Sequence, residues 1–305
     1  MANILSTNKK IVFTGPPDVG KTTIKEVFFD HSSPISLLEN PLKPSMGVNS
    51  SIYSTINNDL GIFDLAGQEN SVWFSKKGKE IFNDSNIIIC VFDIRNSLES
   101  IFQFLLKIFK LKQELQLYSC QIIAFLHKID LRSDTYVNQK LKIIEDFILV
   151  QHPHGKDFEI YKTSVKKNHF FNTYFIISEI LNIILEKNLF SGIKPDLQEL
   201  EKELSVILNS EVNLKCKISD LVKKLNFNMK NLENCVKKLE ELGFIKTFDE
   251  CNSFQLTDNA YYFKVGLEKE FNTDEFLDKK IEIFHVFLHL KEKKTELLKS
   301  NVPFN

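Results

Sequence analysis

Arginine is nearly missing from this chain. Arg95 and Arg132 are the only two, so the basic charge is almost all lysine. The formal net charge is −1 over 305 residues, which gives the chain as a whole no electrostatic case for nucleic acid or an anionic membrane. Cysteine is sparse and unpatterned. Cys90, Cys120, Cys216, Cys235 and Cys251 are odd in number and contain no C-x-x-C pair, which argues against a zinc site and for a reducing compartment. Cys90 and Cys120 sit within apolar runs, where a thiol behaves as a small hydrophobe. No apolar stretch reaches the ~18 residues of a membrane span. The start lacks a secretory h-region, Ala2 stands where myristoylation needs glycine, and Val302–Asn305 carries no prenylation box. The expected address is cytoplasmic, with no membrane anchor.

What is present is ordinary in bulk and ordered in detail. A hydrophobic content of 43% and a charged content of 26% suit a soluble chain of about two domains. Apolar runs at Lys10–Thr14, Asn86–Asp93 and Cys120–Leu126 read as buried strands of a largely parallel sheet. Val48–Ile56 and Asp59–Phe63 flank Asn57-Asn58, a turn pair that suits a hairpin. Helical periodicity marks Leu98–Leu117, Tyr136–Val150 and Phe170–Glu186. The order β-α-β-β-α-β-α-β-α-β-α predicts an α/β domain over residues 8–190, a mixed sheet with helices on both faces.

The most informative segment is Gly15-Pro-Pro-Asp-Val-Gly20-Lys21-Thr22, set between the apolar run Ile11-Val-Phe13 and a helical stretch starting near Lys21. It fits G-x4-G-K-[ST] in a strand–loop–helix setting. Glycines let such a loop turn tightly and offer backbone N–H groups to phosphate oxygens, aided by the positive end of the new helix. Lys21 is placed to bridge the outer phosphates, and the Thr22 hydroxyl to ligate Mg2+. Three more segments end strands. Asp64-Leu-Ala-Gly67-Gln68 offers a carboxylate for Mg2+, a glycine N–H for a terminal phosphate and an amide to orient water. His127-Lys128-Ile129-Asp130 offers a carboxylate that can accept both N1–H and N2–H of guanine, with the Lys128 stem over the base. The backbone of Thr163-Ser164-Val165 can meet the guanine O6. In the loop Leu42–Val48, Ser45 supplies a second hydroxyl for Mg2+.

In this order, these motifs resemble the Ras-like small GTPase superfamily. His127 in place of the usual Asn, the short hairpin and Tyr161–Val165 before a terminal helix most resemble its Rag/Gtr subfamily, over roughly the first 190 residues. The resemblance implies a P-loop NTPase fold, a GTP/GDP-binding switch needing Mg2+, and regulatory and effector proteins as partners, with a homo- or heterodimer possible. It carries phosphate and Mg2+ contacts onto Gly15, Asp18, Val19, Gly20, Lys21, Thr22 and Thr23. Ser45, Asp64 and Gly67 then sense the γ-phosphate. His127, Lys128, Asp130, Ser164 and Val165 form the guanine pocket, with Gln68 and Lys21 as the catalytic pair and Thr22, Ser45 and Asp64 at the metal. Several residues depart from the pattern. Pro16-Pro17 removes two N–H donors from the loop. Asp18 adds negative charge beside the phosphates, which favours nucleotide release. No arginine lies near Ser45, so no arginine finger is available in cis, and intrinsic hydrolysis is expected on the order of 10⁻⁴ to 10⁻² per second.

After Gly192-Ile-Lys-Pro195 the texture changes. Leu197–Asn209, Ile218–Leu225 and Met229–Leu242 read as helices, Gly243 as a cap, and Phe244–Phe248 with Phe254–Thr257 as a hairpin. This predicts a winged-helix-like α+β domain over 196–266. A further helix follows over 273–300, with an apolar stripe at Leu277, Ile281, Phe284 and Leu288. The roadblock-type unit of Rag/Gtr proteins is not recognisable here. Lys230, Asn231, Asn234, Lys237 and Lys238 raise a GTP-gated DNA-binding alternative. Between Pro195 and Gly266, however, 10 Lys oppose 12 Asp and Glu, a net of −2 that offers little for phosphate neutralisation. A protein-interaction or dimerisation role is therefore expected, with nucleic acid an unlikely ligand. The remaining alternative, a scaffold that binds nucleotide without turnover, is disfavoured because Thr22, Asp64 and Gln68 are all present.

Overall fold

A computed structural model describes residues 9–54, 59–151 and 158–185. Beyond them it describes 216–219, 233, 236–237, 239–240, 243–248, 253–262 and 291–292. The first part is a mixed sheet built as the periodicities predict. Its strands are β1 (Lys9–Thr14), β2 (Val48–Ser54), β3 (Asp59–Leu65), β4 (Ile87–Asp93), β5 (Gln121–His127) and β6 (Phe158–Thr163). They lie in the order β2-β3-β1-β4-β5-β6, with β2 antiparallel to β3 and all other pairs parallel. All seven residues of β4 are buried, as a central parallel strand covered on both faces requires.

Helices α1 (Lys21–Phe28) and α6 (Lys167–Leu185) cover one face. Helices α3 (Asn70–Trp73), α4 (Leu98–Glu114) and α5 (Asp134–Gln151) lie with the other. Cys90 and Cys120 are buried in that second apolar layer. Because every parallel strand runs the same way, the C-terminal ends of β1, β3, β4, β5 and β6 gather on one rim of the sheet, where ligands of such folds bind. A six-residue helix, α2 (Pro34–Glu39), stands where the sequence reading places only a connecting loop. The Ser33 hydroxyl accepts from the Ser36 N–H and Pro34 occupies its first turn, a start signal legible in Ser-Pro.

Beyond α6 lies a three-stranded antiparallel sheet of β7 (Cys216–Lys217), β8 (Ile245–Phe248) and β9 (Ser253–Leu256), in the order β7-β9-β8. The described residues Ile218, Ser219, Glu233, Val236, Lys237, Leu239 and Glu240 are helical. Gly243, at φ 69°, closes the second helix: its N–H reaches Glu240 O and that of Phe244 reaches Leu239 O, a Schellman pair. Residues 258–262 form a further helical turn. This unit shares a continuous apolar core with α1 and α6. Phe28 stacks on Phe170 at 5.2 Å, Tyr174 meets Phe244 at 5.9 Å, and Phe170 meets Tyr262 at 5.9 Å.

The turn Asn57-Asn58 and the helix Leu197–Asn209 lie outside the described residues. Of the helix expected over 273–300, only Lys291–Glu292 is described. There the backbone forms a strand, β10, paired antiparallel with Ser54 and Tyr53 of β2. Those two residues depart from the helical reading because the free edge of β2 takes their backbone hydrogen bonds. Among the described residues, no helix is long and apolar enough to cross a membrane.

Candidate nucleotide-binding site

The loop between β1 and α1 is shaped by what its glycines exclude. Gly15 sits at φ 148°, and a Cβ there would stand 2.2 Å from the Val91 carbonyl oxygen of β4. Gly20 sits at φ 101°, and a Cβ there would meet the His127 ring at 2.9 Å. The loop thus presses on the ends of β4 and β5 at two points where only glycine fits. Lys21, the first residue of α1, is 6% exposed. Its ammonium donates to Gly15 O at 3.1 Å and Pro16 O at 2.7 Å, so it folds back over the loop. Burial lowers its pKa to about 8, against the opposing pull of Asp64 and Asp18.

Beside it, three oxygen side chains converge from three elements. The Thr22 hydroxyl donates to Asp64 Oδ2 at 2.5 Å. Its proton being committed there, Ser45 donates to Thr22 Oγ1 at 2.7 Å. Asp64 is fully buried at the end of β3. Burial raises its pKa, partly countered by the Thr22 hydrogen bond and by Lys21. Its Oδ1 has no hydrogen-bond partner. Two hydroxyls and a carboxylate with a spare buried oxygen form a hard-oxygen donor set of the kind Mg2+ takes, directly or through water. The donors therefore fit that ion.

The segment after β3 docks on the loop. A Cβ on Gly67 would lie 2.5 Å from the Pro16 carbonyl. Asn70 Nδ2 donates to Gly15 O at 3.0 Å, and Trp73 Nε1 to Ala66 O at 2.8 Å. Gly47, just past Ser45, donates its N–H to Glu69 Oε1 and accepts from the Ala66 N–H. The two loops flanking the cleft are thus tied together.

At the other end, Ser164 Oγ donates to Asp130 Oδ1 at 2.5 Å and accepts from the Lys166 N–H at 3.1 Å. This fixes the carboxylate at the cleft wall. Lys128 lies at φ 60°, and its ammonium donates to Asp18 O at 2.5 Å and pairs with Asp93 Oδ2 at 3.0 Å. His127 is buried beneath the loop and shares a 3.0 Å hydrogen bond with Thr163 Oγ1. Burial, reinforced by Lys128, drives its pKa down to about 3, so it is a neutral packing group at any working pH.

The cleft enclosed by these groups measures about 390 Å³. Asp18, Gly20, Lys21, Thr22, Thr23, Ser45, Gly67, Gln68, His127, Lys128, Asp130, Ser164 and Val165 line it. Gly15, Val19 and Asp64 stand behind it: Gly15 as acceptor for Lys21, Val19 buried under the loop, and Asp64 as acceptor for Thr22. The sequence reading has Leu42, Lys43 and Pro44 in the loop over the cleft, where they line it, but misses the rest of that wall, Leu37, Leu38 and Pro41. The Ser33-Pro34 helix start is the one signal that could have found it.

Residues 10–222 match the Gtr1/RagA G protein conserved region. The chain belongs to that family. The match runs past α6 to the residues that open the three-stranded unit, further than the roughly 190 residues that carry the motifs. Membership in this G protein family supports a GTP-binding switch. No curated protein matches the chain significantly.

Proposed function

We propose that this Gtr1/RagA-family chain alternates between GTP- and GDP-bound states with Mg2+, hydrolyses GTP slowly, and reports its state through the unit that follows α6. The convergence of Lys21, Thr22, Ser45 and Asp64 at one end of a cleft whose other end holds Asp130 and Lys128 carries this reading. Lys21 and the N–H groups of the loop would bind the β- and γ-phosphates. Asp130, held by Ser164, would accept the two N–H groups that guanine offers and adenine lacks. Thr22, Ser45 and Asp64 would hold Mg2+, which when bound neutralises phosphate charge. Gln68, on the cleft wall beside Gly67, would orient the attacking water. No arginine lies among the cleft-lining residues, so a cationic group from an activator would speed the step.

The segment that runs through α2 to Ser45 begins where the C-terminal unit is fastened. Ser33 Oγ donates to Asp258 Oδ2 at 3.2 Å, and Asn259 Nδ2 donates to His31 O at 3.2 Å. Movement of residues 34–45 with the γ-phosphate would therefore pull on residues 258–259. The order strand, helix, helix, hairpin, with β7 beside β9, supports a winged-helix-like unit. Its acidic balance favours protein partners, namely effectors, the activator or a second GTPase, over DNA.

The test is equilibrium binding of GTP, GDP and ATP analogues, with and without Mg2+, to the wild-type chain and Asp130→Ala. Tight, Mg2+-dependent guanine binding that collapses in the variant is expected. Equal binding of ATP, or an unchanged base preference in the variant, refutes the assignment.

A further inference from the structure

The lysine beneath the base is held by a carboxylate outside the cleft. Asp93 ends β4, and the register pairs it with His127 of β5, the residue before Lys128. It is 4% exposed and both its oxygens are engaged. Its Oδ1 accepts from the Arg95 N–H and Nε, each at 2.9 Å. Its Oδ2 accepts from Arg95 Nη2 at 2.7 Å and faces the Lys128 ammonium at 3.0 Å. The turn that carries it is braced twice more. Asp93 N–H donates to Asn96 Oδ1 at 2.8 Å, and the buried Lys140 ammonium caps the Ile94 and Asn96 carbonyls.

A lysine side chain left free samples many rotamers and must surrender them when a ligand packs on it. Here the left-handed backbone fixes one end of Lys128, while Asp93 and Asp18 O fix the other. Its stem is laid along the loop, with Cε 3.6 Å from where a Cβ on Gly20 would stand. A rest that is ordered before the ligand arrives lowers the ordering cost of binding.

We infer that Asp93, gripped by Arg95, is a positioning residue for the guanine nucleotide: it locks the Lys128 stem as a rigid rest for the base without touching the ligand. The inference rests on the guanine-nucleotide reading of the cleft. It assigns a role to one of the only two arginines in the chain. It also separates base support, which runs through Asp93 and Lys128, from base identity, which runs through Asp130.

The test is a double-mutant cycle on the dissociation rate of a fluorescent GDP analogue (mant-GDP), using wild type, Asp93→Asn, Lys128→Met and the double variant. Asp93→Asn is expected to speed dissociation about tenfold, the scale of one charge-assisted hydrogen bond. It should add nothing once Lys128 is methionine. The preference for GDP over IDP should stay unchanged, because IDP lacks only the amino group that Asp130 reads. Equal acceleration in both backgrounds, or a changed GDP-to-IDP ratio, overturns the inference. If Asp93→Asn fails to fold, Arg95→Met enters the same cycle, with an expected acceleration of about threefold through loss of the bidentate grip; an unchanged rate overturns the inference. A wild-type chain that binds no mant-GDP overturns the guanine reading itself, whereas additivity in the cycle overturns only the role of Asp93.

Discussion

Lys21 makes the proposed phosphate site sensitive to pH in a calculable way. Burial brings its pKa from 10.5 to about 8 in the nucleotide-free protein, whereas a polyphosphate beside it would restore a high value. A group titrating at about 8 is roughly nine-tenths protonated near pH 7 and about one-quarter protonated near pH 8.5. Phosphate recruits the protonated form, so GDP affinity is expected to fall about fourfold between those values, or ~0.8 kcal/mol. For folding, the sign is the reverse. The unfolded chain binds the proton more tightly between about pH 8 and 10.5, so nucleotide-free stability rises through that window. The burial penalty, on the order of 3 kcal/mol, is fully present below pH 8. The assay is GDP titration across the lower range, with Lys21→Met as control. The variant should bind more weakly with a flat profile. An equally flat wild-type profile, or affinity rising with pH, refutes the reasoning.

Three further outcomes are expected. Gly67→Ala places a methyl 2.5 Å from the Pro16 carbonyl and should lift Gln68 off the loop, cutting single-turnover GTP hydrolysis by at least about tenfold, while circular dichroism stays unchanged. Trp73, the sole tryptophan, donates to Ala66 O in the segment that docks on the loop; its emission should differ between the GDP and GTP-analogue states, and identical spectra would count against movement of that segment. Asn259→Ala removes the tie to His31 O. It should cost about 1 kcal/mol of stability by thermal melting and weaken the nucleotide dependence of protease cleavage in the C-terminal unit.

The cleft was legible in the sequence wherever a motif carries its own backbone demand. Gly15 and Gly20 are spaced for a tight loop, and Asp64, Asp130 and Ser164 all end or follow apolar strand runs; parallel pairing then brings those ends to one rim. Helix α2 was missed because its six residues are too short to show a period, and only its capping pair betrays it. Asp93 was hidden for a different reason. It reads as the polar end of a strand, and only the β4–β5 register sets it beside Lys128. Nor could sequence periodicity tell that Phe244 would meet Tyr174, since contacts between units far apart in the chain leave no local pattern.

The aromatic seam from Phe28 through Phe170 and Tyr174 to Phe244 and Tyr262 bears on how the polypeptide can be cut. A fragment ending after α6 would bare several ring faces to water, each worth about 1.5–3 kcal/mol of lost burial. Such a piece would be sticky as well as weak. Among the described residues, a cut between α6 and β7 divides one shared apolar core, so the two parts are expected to melt together.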